Sequence, residues 1–244
     1  PISFHPTNPS KFAHYDMSIY GGIRLYKGIE KTLVLKFPYF RTSYQKRGKP
    51  IWDIIKETLP NTAILALSSI LIAIVVGIFL GILATLFKGH WLDRALLLLS
   101  TIGMSVPSFF SAILFSWFFG YVLHSYTHLN MTGSLYELDD FGESYRIIWK
   151  NLILPSFVLG IRPLAVITQL MRSNLLEVLS QDYIRTAYSK GLSKYQVIFK
   201  HALKNAINPV VTAVSGWFAS LLAGAIFVEY IFGWKGLGKE IVEA

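Results

Sequence analysis

The 244-residue chain contains no cysteine. That excludes disulfide frameworks, thiol chemistry and cysteine-ligated metal sites at once. Charge is scarce too: 15% of residues are Asp, Glu, Lys or Arg, where a soluble domain carries about 25%. The common catalytic signatures are missing. The chain has no G-x-S-x-G, no H-E-x-x-H and no glycine-rich phosphate loop with its lysine, so hydrolytic, zinc-dependent and ATP-binding chemistry find no local motif. Repeats and low-complexity tracts are absent as well. What fills the chain instead is apolar: 53% of residues are hydrophobic and 15% aromatic, which places it in the membrane class. The net charge of +9 then reads as a basic membrane-facing surface and not as a nucleic-acid footprint.

Four stretches are long and apolar enough to cross a bilayer, for which about 20 residues suffice. Thr62 to Phe87 is uncharged throughout. Ala95 to Leu123 is also uncharged, with Pro107 near its middle. A kink is expected there, with Ser105 and Ser108 placed to satisfy freed backbone groups. Asn151 to Met171 contains Arg162 and Pro163. Pro209 to Ile231 is rich in small residues, which suits close helix packing in lipid. Asn208 before Pro209 reads as an N-cap followed by a first-turn proline. Ahead of the first span, Ile51, Ile54, Ile55 and Leu59 fall at helical spacing beside Trp52, predicting a short interfacial helix. The expected architecture is all-α, a polytopic transmembrane helical bundle.

Loop charge sets the expected orientation. Arg172 to Lys204 holds six Lys or Arg and two acids, which assigns it to the cytoplasm. His124 to Lys150 holds two basic residues and four acids, Glu137, Asp139, Asp140 and Glu143, and is assigned outside. Alternation puts Lys88 to Arg94 inside, in agreement with its own charges. It also puts the basic segment Arg24 to Lys56 outside, against the positive-inside rule, which long loops can escape.

The stretch "QDYIRTAYSKGLSKYQVIFKHALKNAINP" carries the most information. Helical periodicity divides it into two helices. The first is expected from about Asn174 to Tyr188, ending at Gly191, where glycine enters a left-handed C-cap without strain. The second opens at Ser193 with Gln196 three residues on, a capping box. Tyr195, Ile198, Phe199, Ala202, Leu203 and Ala206 then form one predicted buried stripe. Lys194, Lys200, His201, Lys204 and Asn205 take the other side, with Val197 an exception. A capped, hinged hairpin with an apolar stripe is a docking element and not a merely solvated loop.

"DYIRTAYSKGLSKYQVIFKHALKNAINPVVT" resembles the EAA loop of ABC importer permeases, above all the dipeptide, oligopeptide and nickel branch. Arg185-Thr186-Ala187 stand where the wider family has Glu-Ala-Ala, and Lys204 stands where it has proline. Both departures are usual in the peptide branch. "LPNTAILAL", "SVPSFF", "RPLAVITQLMRSNLLEVL" and "VEYIFGWKGLG" resemble it too, so the likeness runs from Pro50 onward. The resemblance implies a permease domain over residues 51–244, preceded by an extracytoplasmic segment, 1–50. It implies six spans in the bacterial inner membrane, two of them beyond the ends of this chain. That agrees with a first residue that is Pro1 and a start, "PISFHPTNPS", without signal-peptide character; the sequence is expected to be an internal piece.

By the same resemblance the chain performs no covalent chemistry and holds no cofactor. ATP would be bound by two partner ATPase subunits. A second permease subunit, expected to form a heterodimer with this one, and an extracytoplasmic solute-binding protein complete the assembly. The coupling tip would comprise Asp182, Tyr183, Arg185, Thr186, Ala187, Lys190, Gly191, Leu192 and Ser193. Gly191 would be its hinge, with Arg185 and Lys190 as ion-pair donors to the ATPase groove. A passive channel or an intramembrane enzyme are the alternative classes. An enzyme should place several polar catalytic groups within the spans, whereas the charged groups there are Arg162 and, near the outer end of the last span, Glu229. A channel should lack a docking hairpin.

Other residues have two readings each. Arg162 either lines a path that attracts a peptide carboxylate, or serves an ion pair or snorkels to the outer interface. Glu229 is its partner or a latch for the "FGWKGLG" turn. His124 and His128 are a possible i, i+4 metal pair without a third ligand, or plain interfacial histidines. The acidic cluster from Glu137 to Glu143 either meets the solute-binding protein or is solvated.

Overall fold

The computed structural model describes residues 2–6, 22–27, 31–36, 42–43, 45–46, 48–139 and 144–244. They divide into two compact units, Pro1–Ile54 and Ile55–Ala244. Asp140 and Glu143 of the acidic cluster lie outside the described residues.

The first unit holds a sheet that the sequence reading does not contain. Strands β1 (Ile2–Pro6), β2 (Gly22–Lys27) and β3 (Lys31–Lys36) pair antiparallel in the order β1–β3–β2. Phe4 stands opposite Leu33 and Ile23 opposite Leu35, with a register shift between Arg24 and Tyr26. Thr32, Leu33, Val34 and Leu35 supply the β-branched, apolar run that suits the central strand.

In the second unit helices dominate, as expected. Helix α1 (Ile51–Leu86) is a single 36-residue element. The predicted short interfacial helix and first span are therefore one helix, running on through Pro60. A proline forfeits one backbone bond but carries a helical φ, so a helix held elsewhere along its length can continue past it. At Pro107 the opposite happens. Val106 (ψ 129°) and Pro107 (ψ 140°) are both extended, separating α2 (Trp91–Ser105) from α3 (Ser108–Trp117). The bend is 109°, a break and not the expected kink, because a residue before proline is pushed out of the helical region. Ser105 donates to Thr101 O at 2.9 Å. A π-turn (Phe118–Val122) and the one-turn helix α4 (His124–Thr127) follow.

Strands β4 (Tyr136–Leu138) and β5 (Tyr145–Ile147) form a small hairpin. Helix α5 (Lys150–Leu179) then runs unbroken through Pro155, Arg162 and Pro163. Helix α6 (Asp182–Ser189), the short α7 (Lys194–Val197), a π-turn (Ile198–Ala202) and α8 (Leu203–Ala206) make the hairpin. Helices α9 (Asn208–Gly224) and α10 (Ile226–Phe232) meet at a 55° bend, and α11 (Leu237–Glu243) ends the chain. Asn208 is the first helical residue of α9 and makes no side-chain cap, so the predicted N-cap is one position late; Pro209 does occupy the first turn. Among the described residues two helices, α1 and α5, are individually long and apolar enough to span a membrane. The count rises to four if each bent pair is one span.

The core has two centres. One gathers Leu65, Ile70, Leu154, Val158, Leu221, Val228, Phe232 and Trp234. The other joins Ile82, Ile167, Met171 and Leu175 of the long helices to Ile184, Ala187, Val197, Ile198, Ala202 and Ala206 of the hairpin. Helices α1 and α5 touch closely because Gly77 and Gly81 lack side chains. A Cβ on Gly77 would lie 2.8 Å from Ile167 Cγ2, and one on Gly81 would lie 2.6 Å from Met171 Cβ. This is the small-xxx-small logic of helix contact in lipid. Leu67, Leu71, Val75 and Phe79, one i, i+4 row, face outward from α1.

Candidate functional site

The hairpin begins where α5 ends. Ser180 closes α5, and two residues later α6 starts at Asp182. The expected first helix from Asn174 to Tyr188 is thus two pieces: Asn174 to Leu179 are the tail of α5, and the hairpin's own first arm is α6. At its far end Gly191 has φ 79°. Its N–H donates to Tyr188 O at 2.9 Å, and Leu192 N–H donates to Ala187 O at 3.4 Å. That pair of bonds is a Schellman cap, with glycine where the left-handed residue belongs. A Cβ on Gly191 would meet nothing within 4 Å, so the backbone conformation alone selects glycine. Gln196 N–H donates to Ser193 Oγ at 3.4 Å and Ser193 N–H to Gln196 Oε1 at 2.9 Å, a complete capping box.

The nominated residues fall on this one element. Asp182, Tyr183, Arg185, Thr186, Lys190, Gly191 and Ser193 are exposed, Leu192 is half-buried and Ala187 is buried. Arg185 Nη1 donates to Asp182 Oδ1 at 3.2 Å, with the two side chains 77% and 94% exposed. So open a pair adds little stability and leaves both charges available to a partner. The arms are tied by Asn205 Nδ2, which donates to Tyr183 Oη at 2.8 Å. Lys194 Nζ donates to Leu86 O at 2.8 Å, anchoring the second arm to the end of α1.

The buried stripe differs from the predicted one. Val197, Ile198, Ala202 and Ala206 are fully buried, whereas Tyr195 and Phe199 are 64% and 57% exposed. The π-turn at Ile198–Ala202 keeps the i, i+4 row Ile198, Ala202, Ala206 and Val210 on the core and turns Phe199 out, whereas Tyr195 stands ahead of it in the exposed first turn of α7. Val197, expected as an exception on the polar side, belongs to the core.

Above the hairpin lies a contact that sequence reasoning misses. Arg172 Nε donates to Asp93 Oδ1 at 2.6 Å and Nη2 donates to Oδ2 at 2.8 Å, across 79 residues. Gly89 N–H adds a third bond to Oδ2 at 3.0 Å. Asp93 is 3% exposed. The Arg172 fork holds the Asp93 carboxyl below its ordinary range and outweighs burial, with Gly89 assisting; the same bond raises Arg172. The local signal is faint: an aspartate in a short basic turn and an arginine at the foot of a span.

Arg162 is exposed, and its Nη2 donates to Met104 O at 3.4 Å. Glu229 does not pair with it. Fully buried, Glu229 accepts from Gly238 N–H at 2.7 Å and Lys239 N–H at 3.3 Å through Oε2, the latch arrangement. The turn it closes is also held by Trp234 Nε1 donating to Asn61 O at 3.1 Å and Leu237 N–H donating to Thr62 Oγ1 at 2.8 Å. His124 Nδ1 lies 2.7 Å from Leu129 O, and His128 is a left-handed helix end. Among the described residues no three His, Asp or Glu gather as a metal site. Glu137 accepts from Ser134 N–H at 3.2 Å and Asn151 Nδ2 at 3.0 Å, so this acid is tied into its own loop.

Comparison with known proteins finds similar chains among transport permeases. The oligopeptide transport system permease protein AppB of Bacillus subtilis (strain 168) is 38% identical over 210 residues, covering 84% of this chain and 63% of that protein. The dipeptide transport system permease protein DppB of the same organism is 35% identical over 205 residues, with 84% and 62% covered. The di/tripeptide transport system permease protein DppB of Pseudomonas aeruginosa (strain UCBPP-PA14) is 36% identical over 207 residues, with 80% and 62% covered. The chain thus spans somewhat less than two thirds of the length of these relatives. Among solved structures, an inward-facing MetNI methionine ABC transporter superposes with a TM-score of 0.58 at 16% identity, covering 79% of this chain and 81% of that one; the likeness is one of fold. Residues 77–244 match the model of the family described as binding-protein-dependent transport system inner membrane component, and the chain belongs to that family.

Proposed function

We propose that this chain is the core of a permease subunit of an ATP-driven, binding-protein-dependent peptide importer in the bacterial cytoplasmic membrane. The reading places the hairpin in the cytoplasm and residues 1–50, Glu137 and Asp139 outside. A second permease subunit, two ATPase subunits that bind the ATP, and an extracytoplasmic solute-binding protein complete the assembly. Peptide as cargo is supported by the names of the relatives.

The observation that carries the coupling role is the continuity of one apolar core from Met171 and Leu175 of α5 into Ile184, Ala187 and Ile198 of the hairpin. A push on the exposed tip, Asp182 to Ser193, is delivered to α5 as a rigid displacement, since a packed core transmits strain and does not absorb it. Arg185 and Lys190 are the charged contacts to the ATPase groove. Arg162, exposed on α5, lines the path and attracts a peptide carboxylate.

The test is uptake of labelled di- to pentapeptides into proteoliposomes holding the full-length permease and its partner subunits. ATP-dependent, binding-protein-dependent accumulation is expected. Flux that ignores ATP would indicate a channel, and cleavage of the peptides without uptake would indicate an enzyme.

A further inference from the structure

The Asp93–Arg172 pair stands outside the coupling tip and outside the proposed path, yet it is a two-bonded fork at 2.6 and 2.8 Å with its carboxylate buried. Its position gives it a task. Arg172 lies about two helical turns before Ser180, so only a short, continuous stretch of α5 separates it from the hairpin. Asp93 sits in the first turn of α2. The other end of α2 is held to the same helix: a Cβ on Gly103 would lie 3.1 Å from Ile161 Cγ2, and Arg162 Nη2 donates to Met104 O. Two arginines of α5 thus grip α2 at its two ends. The C-terminal carbonyl of Met104 and the N-terminal carboxylate of Asp93 are the groups a cation and a helix start respectively favour. Immediately beyond the second grip come Val106 and Pro107, the two extended residues where the chain turns through 109°.

We propose that Asp93 and Arg172 are positioning residues that lock α2 onto α5, so that movement of the hairpin carries both helices as one body and is released at the Val106–Pro107 break. The proposal rests on the coupling reading of the hairpin and adds which helix is driven and where the motion ends. The bidentate fork suits the task because it fixes angle as well as distance. A single lysine contact would let α2 swivel.

The experiment uses the full-length permease in its complete complex, in proteoliposomes, with a labelled di- to pentapeptide pool and loaded binding protein. Asp93→Asn and Arg172→Gln should hydrolyse ATP at the parent rate and lose peptide uptake by about tenfold, the scale of an ordinary coupling free energy. The exchange Asp93→Arg with Arg172→Asp should recover most of it. A pair that served only folding would lower hydrolysis, uptake and assembled complex together, and that result, or unchanged uptake in the single variants, would overturn the proposal.

A second arm does not depend on the charge exchange folding. In this cysteine-free chain, Gly103→Cys with Ile161→Cys can be oxidised to lock α2 to α5. Uptake should be the same before and after oxidation, because the two helices do not slide. Uptake blocked by oxidation and restored by reductant would overturn the proposal. Gly191→Val, measured alongside, separates the two readings. If it uncouples and Asp93→Asn does not, only the clamp falls; if Asp93→Asn uncouples and Gly191→Val does not, the hairpin reading falls, and with it the hairpin as the driver of the clamped helices.

Discussion

Arg172 meets Asp93 as a fork, Nε to Oδ1 at 2.6 Å and Nη2 to Oδ2 at 2.8 Å, with the carboxylate buried and the guanidinium 21% exposed. Removing the arginine leaves a buried carboxylate with only Gly89 N–H. Arg172→Ala should therefore destabilise the chain, by less than the roughly 3–5 kcal/mol of a fully buried pair because water still reaches this guanidinium. The pH dependence has a defined sign. The Asp93 carboxyl is held below its usual value by Arg172, so its contribution is complete above the ordinary aspartate value of about 3.9 and is lost as pH falls through the lower folded value. The difference in detergent melting temperature between parent and Asp93→Asn should be flat from pH 8 to about pH 5 and shrink only in stronger acid. A difference that collapsed between pH 7 and 6 would contradict this ion pair.

Gly81 faces Met171 Cβ and Thr168 O across the α1–α5 contact. Gly81→Ala already intrudes on both, and the cost should be about 1–3 kcal/mol, as for overpacking elsewhere. Gly191→Ala, where nothing lies within 4 Å, should cost less, on the order of the 1 kcal/mol that a left-handed alanine requires. Melting temperatures of the two variants in the same detergent give the order; the reverse order would show that α1 and α5 are not in contact.

Orientation is open to chemical labelling because the chain has no cysteine of its own. Glu137→Cys should react with an impermeant maleimide from outside cells, and Lys190→Cys only after the membrane is opened. Lys190→Cys labelled in intact cells would reverse the topology and, with it, the placing of the hairpin against an ATPase.

Arg162 has one bond to the protein, to Met104 O, and an otherwise exposed guanidinium. Arg162→Leu removes a charge from a span, so insertion should be retained while peptide uptake changes. Uptake of every peptide at the parent rate would leave Arg162 a purely structural donor to α2.

Much of this was legible in the sequence for a physical reason. The four apolar stretches are set by composition, and composition decides what lipid accepts. Gly191 and the Ser193–Gln196 box are local backbone devices whose effect needs no tertiary context, whereas Pro107 marks an interruption whose extent, a 109° break, the sequence does not give. The misreadings arose where context enters. A 3.6-residue period puts Tyr195 and Phe199 in the core; the π-turn at Ile198–Ala202 turns Phe199 out, and Tyr195 stands ahead of it in the exposed first turn of the second arm. The sequence predicts a short interfacial helix ahead of the first span, yet the two are one helix that continues through Pro60, since a helix supported elsewhere tolerates one missing bond. The strands at residues 2–6, 22–27 and 31–36 are too short to signal individually. Asp93 and Arg172 are 79 residues apart, and no periodicity connects them; only the fold brings a charged turn to the foot of a distant span.

The central claim is that the capped hairpin converts ATP hydrolysis elsewhere into movement of this chain. Valine at position 191 is strained in a left-handed conformation by about 1–2 kcal/mol, too little to unfold the bundle yet enough to re-aim a short lever. The decisive measurement is ATP hydrolysis by the reconstituted complex carrying Gly191→Val, with and without peptide-loaded binding protein. The account predicts normal assembly with loss of the stimulated hydrolysis and of uptake together. Normal stimulation in Gly191→Val would contradict it.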